Sequence, residues 1–232
     1  MNSPARHPAM AAEQARAIAR AFAPQRPWGH RGDYYYALFK LRSDPLYPGV
    51  LDALRGSSAP LLDMGCGLGL LAHALRRDGQ LMPYRGVDND GSKIQRARIA
   101  AQRAPLAETR FEHVDLLATV PEHHGNVTLL DVLQYLPAAV QPVLLQRAAG
   151  MLGVHGRLVI RMAEADHSRR GVMSRLTDRA ANLIGWMRSR PRDYLDVATV
   201  QAQLQQAGLS VSTRPLYGNT PFNNWLLVAR RD

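Results

Sequence analysis

Apolar positions along this chain recur first at helical spacing and then, after Pro60, in short runs set between amphipathic stretches. Alanine, isoleucine and phenylalanine over residues 9–22 predict a helix stopped by Pro24 and Pro27. The run YYYALFKLR from Tyr34 predicts a second helix ending before Asp44-Pro45, and a short third one over 50–54 is closed by Gly56. Beyond Pro60, apolar runs at 61–64, 84–87, 110–114, 127–130 and 157–162 read as strands, with helices over 68–77, 92–102 and 141–152. Strands separated by helices of that length predict a parallel sheet with right-handed crossovers. The rhythm then breaks. Helical stretches over 169–188 and 198–207 precede β-rich runs at 209–214 and 225–229, which have a turn-rich YGNTP segment and no helix between them. Strands joined that way pair antiparallel. The chain thus reads as α/β, with a helical N-terminal cap over 1–58 and one domain over 59–232 that carries a helical insertion at about 168–207.

At 232 residues, 46% of them hydrophobic, the chain can bury a full core. No stretch approaches the ~18 apolar residues of a membrane span, and the alanine- and arginine-rich start lacks the apolar segment of a secretory signal. A lone cysteine, Cys66, excludes a disulfide framework and a multi-thiolate zinc site. These features read as cytoplasmic, with no metal.

The net charge of +10 rests almost wholly on arginine, a bias that GC-rich coding would also produce. It is unevenly spread: residues 161–192 hold eight arginines against Glu164, Asp166 and Asp178. Within 169–188, Val172, Leu176, Ala180, Leu183 and Met187 form an apolar stripe, and Arg169, Arg170, Arg175, Arg179 and Arg188 lie off it. Two readings stand: a core-facing helix with a solvated side, or a lid over an acceptor pocket. The lid's basic face would meet an acidic acyl carrier protein or a membrane surface.

The chemistry concentrates at predicted strand ends. Asp63, Gly65, Cys66, Gly67 and Gly69 follow the first strand as D-x-G-x-G-x-G and open a helix. A dinucleotide loop, G-x-G-x-x-G, would need glycine where Leu70 stands. An acid before the loop repels a pyrophosphate and suits a ligand carrying ammonium and sulfonium charge, namely S-adenosylmethionine. Asp88, followed by Asn89, ends the second strand, where a carboxylate accepts from ribose hydroxyls. Asp115 and Leu116 end the third, suited to an adenine amino group and ring. Asp131 ends the fourth, with Tyr135 just beyond. Cys66 reads as packing, and Glu122-His123-His124 as a solvated turn.

LLDMGCGLG, YRGVDND, FEHVDLL and DVLQYLP, in this order over about 60–163, resemble the motifs of class I S-adenosylmethionine-dependent methyltransferases. The resemblance implies a Rossmann-like seven-stranded sheet whose last strand is antiparallel. It assigns Asp63, Gly65, Gly67 and Gly69 to the methionine side, Asp88 to the ribose, and Asp115 with Leu116 to the adenine. More narrowly, YYYALFKLRSDP at 34–45 and RMAEAD at 161–166 are similar to small methyltransferases of bacterial aryl polyene (xanthomonadin-like) pigment pathways. That implies O- or C-methylation of an aromatic or polyene-type acceptor, with a carrier protein as partner. Gln134 stands where this pattern commonly has histidine.

On the acceptor side, His167 is the candidate base, with Glu164 and Tyr135 beside it. Arg161 ends the fifth strand and is expected to orient an acceptor carboxylate or phenolate, with the tyrosines at 34–36 as the opposite wall. The competing readings are a NAD-dependent oxidoreductase, a silent cofactor-binding module, and an RNA methyltransferase using the basic surface. The sequence NTPF at 219–222 resembles the signature of amino-methylating nucleic-acid enzymes, but it lies near the C-terminus instead of after the fourth strand.

Overall fold

Short apolar strands and amphipathic helices alternate through the chain, and a computed structural model describes residues 8–26, 28–29, 31–164, 195–218 and 223–231. The strands are β1 (Leu61–Met64), β2 (Tyr84–Asp88), β3 (Thr109–His113), β4 (Asn126–Leu130), β5 (Arg157–Ala163), β6 (Ser210–Pro215) and β7 (Asn224–Arg230). They form one sheet in the order β3-β2-β1-β4-β5-β7-β6. Five strands pair in parallel, and β7 runs antiparallel to both β5 and β6. The reversal falls where the sequence lacks a crossover helix.

The described helices are α1 (Ala12–Ala19), α2 (Gly32–Ser43), α3 (Leu46–Leu54), α4 (Leu70–Arg77), α5 (Gly91–Arg103), α6 (Gln141–Gly150) and α7 (Val197–Gln206). α1 is shorter than its apolar pattern suggests and tightens into a 3-10 turn at Arg20–Phe22. Asp44 ends α2, and its Oδ1 accepts the Leu46 amide at 2.9 Å, turning the chain into α3. Asp90 caps α5 by accepting from the amides of Ser92 and Lys93 at 3.0 and 3.2 Å. None of the described helices is long and apolar enough to cross a membrane.

Alternation along each strand feeds two apolar layers. Leu61 and Tyr84 join the layer of α1 to α5, whereas Leu62, Met64 and Val87 join that of α6 and α7. The cap is keyed into the first layer: the rings of Phe22 and His73 lie 5.0 Å apart, and Asp33 of α2 pairs with Arg96 of α5 at 2.6 Å. The expected helix at 169–188, the NTPF sequence and His167 lie outside the described residues.

Candidate active site

β1 ends at Met64, and the chain turns back over its own strand at Gly65, whose φ is +83°. A Cβ there would lie 2.3 Å from Val132 Cγ2, so glycine is required both by conformation and by space. Gly67, at φ +56°, is different: a Cβ added to it meets no heavy atom within 4 Å. That side of the loop backbone is open.

The loop's amides turn inward. Gly65 and Cys66 both donate to the Val87 carbonyl, at 2.8 and 3.0 Å, and Gly69 donates to the Cys66 carbonyl at 2.9 Å. Gly67 donates to Asp88 Oδ2 at 2.9 Å. A phosphate-binding loop presents such donors to its anion; these four are already bonded. Asp88 also accepts the Asp90 amide on Oδ1 at 2.9 Å, so two backbone bonds fix its carboxylate at the β2 end beside the loop. Asn89 is exposed, and its carbonyl oxygen lies 3.0 Å from His113 Nε2.

Asp63 differs from the sequence expectation of an acid presented to the ligand. It is buried, with Oδ2 accepting from the Tyr84 hydroxyl at 2.5 Å and Oδ1 from the Thr128 hydroxyl at 2.7 Å. It therefore cross-links β1 to both neighbouring strands beneath the loop. Burial pushes its carboxyl up to about 6, against the pull of those two hydrogen bonds. Burial also raises the Cys66 thiol well above its ordinary value, with Asp63 and Asp88 adding to the effect. A protonated thiol is a packing group, as the sequence suggested.

Asp115 lies two residues past β3 instead of ending it. The β2–β3 ladder stops at Asp88 and His113, and Asp115 Oδ1 accepts the Leu117 amide at 2.9 Å in an exposed turn. Leu116 beside it is half-buried.

At the ends of β4 and β5 the structure corrects the role expected of Arg161. This side chain is 3% exposed and points into an ion network rather than into an open pocket. Its Nε donates to Asp131 Oδ1 at 2.7 Å, Nη2 donates to Asp131 Oδ2, and Nη1 donates to Asp44 Oδ1 at 2.7 Å. Lys40 of α2 completes the set, donating to Asp44 Oδ2 at 2.6 Å and lying 3.7 Å from Asp131 Oδ2. The guanidinium thus has no free edge for an acceptor carboxylate, and the Asp131 carboxylate is committed to Arg161 rather than turned to a ligand. Burial alone would raise Asp44, but Arg161 and Lys40 overcome it and hold the carboxyl well below the usual range. Asp131 itself sits at φ +60°, a left-handed conformation that aspartate tolerates better than most residues.

Beyond Asp131 a 3-10 turn, Leu133–Tyr135, carries Tyr135 half-buried and Gln134 buried. Glu164 follows β5; its amide donates to the Asn223 carbonyl at 2.9 Å, and its Oε2 accepts from Asn223 Nδ2 at 3.2 Å. Sequence reasoning missed Asp44 as a member of the site, having read it as a helix stop. Its signals were an acid before proline at the end of a tyrosine-rich helix and its place in the YYYALFKLRSDP motif.

Comparison with known proteins bears on the family and the fold. The family model for the methyltransferase domain matches residues 56–184. The ubiquinone biosynthesis O-methyltransferase of Psychrobacter arcticus is 31% identical over 33% of this chain, and the match spans 31% of that protein's length. The trans-aconitate 2-methyltransferase of Enterobacter is 30% identical over 45% of this chain and 39% of its own. The crystal structure of magnesium protoporphyrin IX methyltransferase from Synechocystis, with bound S-adenosylhomocysteine, superposes with a TM-score of 0.63 at 18% identity, covering 92% of each chain. The chain belongs to the methyltransferase-domain family, and its fold is that of the class I S-adenosylmethionine-dependent enzymes.

Proposed function

We propose that this chain transfers the methyl group of S-adenosylmethionine to a small aromatic or polyene-type acceptor, at oxygen or carbon. The observation that carries the reading is the pairing of Asp88 with Gly67: a fixed carboxylate at the β2 end, beside a glycine loop in which the amides of Gly65, Cys66, Gly67 and Gly69 already donate to Val87, Asp88 and Cys66. Those four amides are not turned to a pyrophosphate, while Asp88 keeps lone pairs for two ribose hydroxyls. The open side of Gly67 leaves space for the cofactor's methionine end, with the field of Asp63 beneath it. Asp115 and Leu116 would hold the adenine.

The cofactor supplies an already activated methyl electrophile, so the chain's task is to align the acceptor and exclude water, which is worth roughly 7–11 kcal/mol. A phenolic acceptor must also lose its proton. Glu164 and Tyr135 flank the ends of β5 and β4, and His167 follows three residues after Glu164. These three are the candidate bases. The similarity to an O-methyltransferase of ubiquinone biosynthesis supports oxygen as the acceptor atom. The basic stretch at 169–188 would serve an acidic acyl carrier protein that delivers the acceptor.

The test is transfer of a labelled methyl group to panels of catechols, methoxyphenols and hydroxyaryl polyenes, with bulk RNA in parallel. Labelling of a ring hydroxyl or polyene supports the proposal. Labelling of RNA alone would overturn it.

A further inference from the structure

α2 has two unlike faces. Inward, Ala37 and Leu41 are fully buried, and Lys40 reaches the ion network at the ends of β4 and β5. Outward, Tyr35 is 56% and Phe39 65% exposed, so Tyr35 does not join the pocket wall expected of the tyrosines at 34–36, and Arg31 and Arg42 beside them are exposed as well. At 100° per residue these four fall within an arc of about 80°. They form one stripe: arginine, tyrosine, phenylalanine, arginine. Trp28, in the turn that leads into this helix, is 83% exposed. Asp33, two residues from both Arg31 and Tyr35, is held by Arg96 at 2.6 Å, so its charge is already matched.

Two large aromatic side chains one helical turn apart are costly to leave in water, and a patch of this kind marks an interaction site. The flanking arginines decide what covers it. A second copy of this face would bring arginine against arginine in either helix direction, with no acid in the stripe to relieve the repulsion. Aromatic rings that seek the boundary between water and hydrocarbon, bracketed by long cationic side chains that reach outward, match an anionic bilayer surface.

We propose that the outer face of α2, through Tyr35 and Phe39 with Trp28, Arg31 and Arg42, docks this protein on anionic phospholipid. The cap is then the membrane-facing side of the molecule. The docking does not depend on the acceptor proposed above, because it is read without catalysis.

The experiment is co-sedimentation of the full chain with vesicles of phosphatidylcholine, with and without phosphatidylglycerol, at low and high salt. The expected result is binding that needs phosphatidylglycerol and weakens with salt. The Tyr35→Ser/Phe39→Ser variant should lower the partition coefficient by at least about tenfold. Arg31→Gln/Arg42→Gln, which keeps the aromatic pair, should bind less and lose the salt dependence. Melting temperature and S-adenosylhomocysteine affinity should match wild type in both variants. Three results would each overturn the proposal: no binding to phosphatidylglycerol vesicles, binding unaffected by the serine pair, or a concentration-dependent dimer that the serine pair dissolves. So would binding of an acidic carrier protein through this stripe without any binding to vesicles.

Discussion

Arg161 on β5 donates Nη1 to Asp44 Oδ1 at 2.7 Å, a bond that spans 117 residues of chain and ties the cap to the sheet. The same guanidinium grips Asp131 through two further bonds, so the acid at the end of β4 is held from the next strand over. Two cations and two anions balance within this cluster, and its charge is not spent on a substrate.

Arg161→Met should therefore behave as a stability variant. Removing one partner of a buried pair leaves the other charged and unmatched, at a cost of about 3–5 kcal/mol. Chemical denaturation of Arg161→Met against wild type measures it. A loss below about 1 kcal/mol with a raised Michaelis constant would restore the acceptor-binding role.

Asp63 and His73 should pull stability in opposite directions across mildly acidic pH. Burial raises Asp63 from 3.8 to about 6 in the folded chain, so its contribution falls as pH rises between those values. Burial lowers His73 from 6.5 to about 4, so its contribution is lost as pH falls through that window. Each amounts to about 3 kcal/mol, and in wild type they largely cancel. Asp63→Asn should unmask a stability that climbs from acid toward neutral pH, and His73→Leu one that declines. Urea midpoints measured across the window test this, and parallel profiles for the two variants would refute it.

Gly65 and Gly67 should separate folding from binding. An alanine at Gly65 meets Val132 and should disrupt the loop, whereas one at Gly67 meets nothing and bears only the left-handed conformation, costing about 1–2 kcal/mol. Gly67→Ala is expected to fold yet lose most of its affinity for S-adenosylhomocysteine. Thermal melts paired with ligand titration distinguish the two.

The Cys66 thiol, raised by burial, should alkylate slowly in the folded chain at mildly alkaline pH and rapidly once unfolded. Because it is the sole cysteine, the rate of iodoacetamide uptake reads it directly. Equal rates in the two states would contradict the packing role.

Much of this architecture is legible from local signals. β1 falls on the expected residues because Leu61, Leu62 and Met64 form a short, mostly apolar run bounded by Pro60 and Gly65. The reversal of β7 follows from a missing helix. Strand ends are less legible at the sheet edge: β3 stops at His113 because its one partner, β2, stops at Asp88, and a ladder cannot outrun its neighbour. Pairings across the fold were not legible at all. Nothing near Asp63 in sequence announces Tyr84 and Thr128, and nothing near Arg161 announces Asp44. An arginine at a strand end reads the same whether it faces a ligand or a buried acid, and only the packing of the cap over the sheet decides.

The most direct test of the account is calorimetric titration of the wild-type chain and Asp88→Ala with S-adenosylhomocysteine and with NAD. The account predicts that wild type binds S-adenosylhomocysteine and not NAD, and that Asp88→Ala binds it more weakly by about 1.5–3 kcal/mol, the scale of hydrogen bonds to a charged group. Binding of NAD in preference to S-adenosylhomocysteine, or an affinity for S-adenosylhomocysteine unchanged by Asp88→Ala, would contradict it.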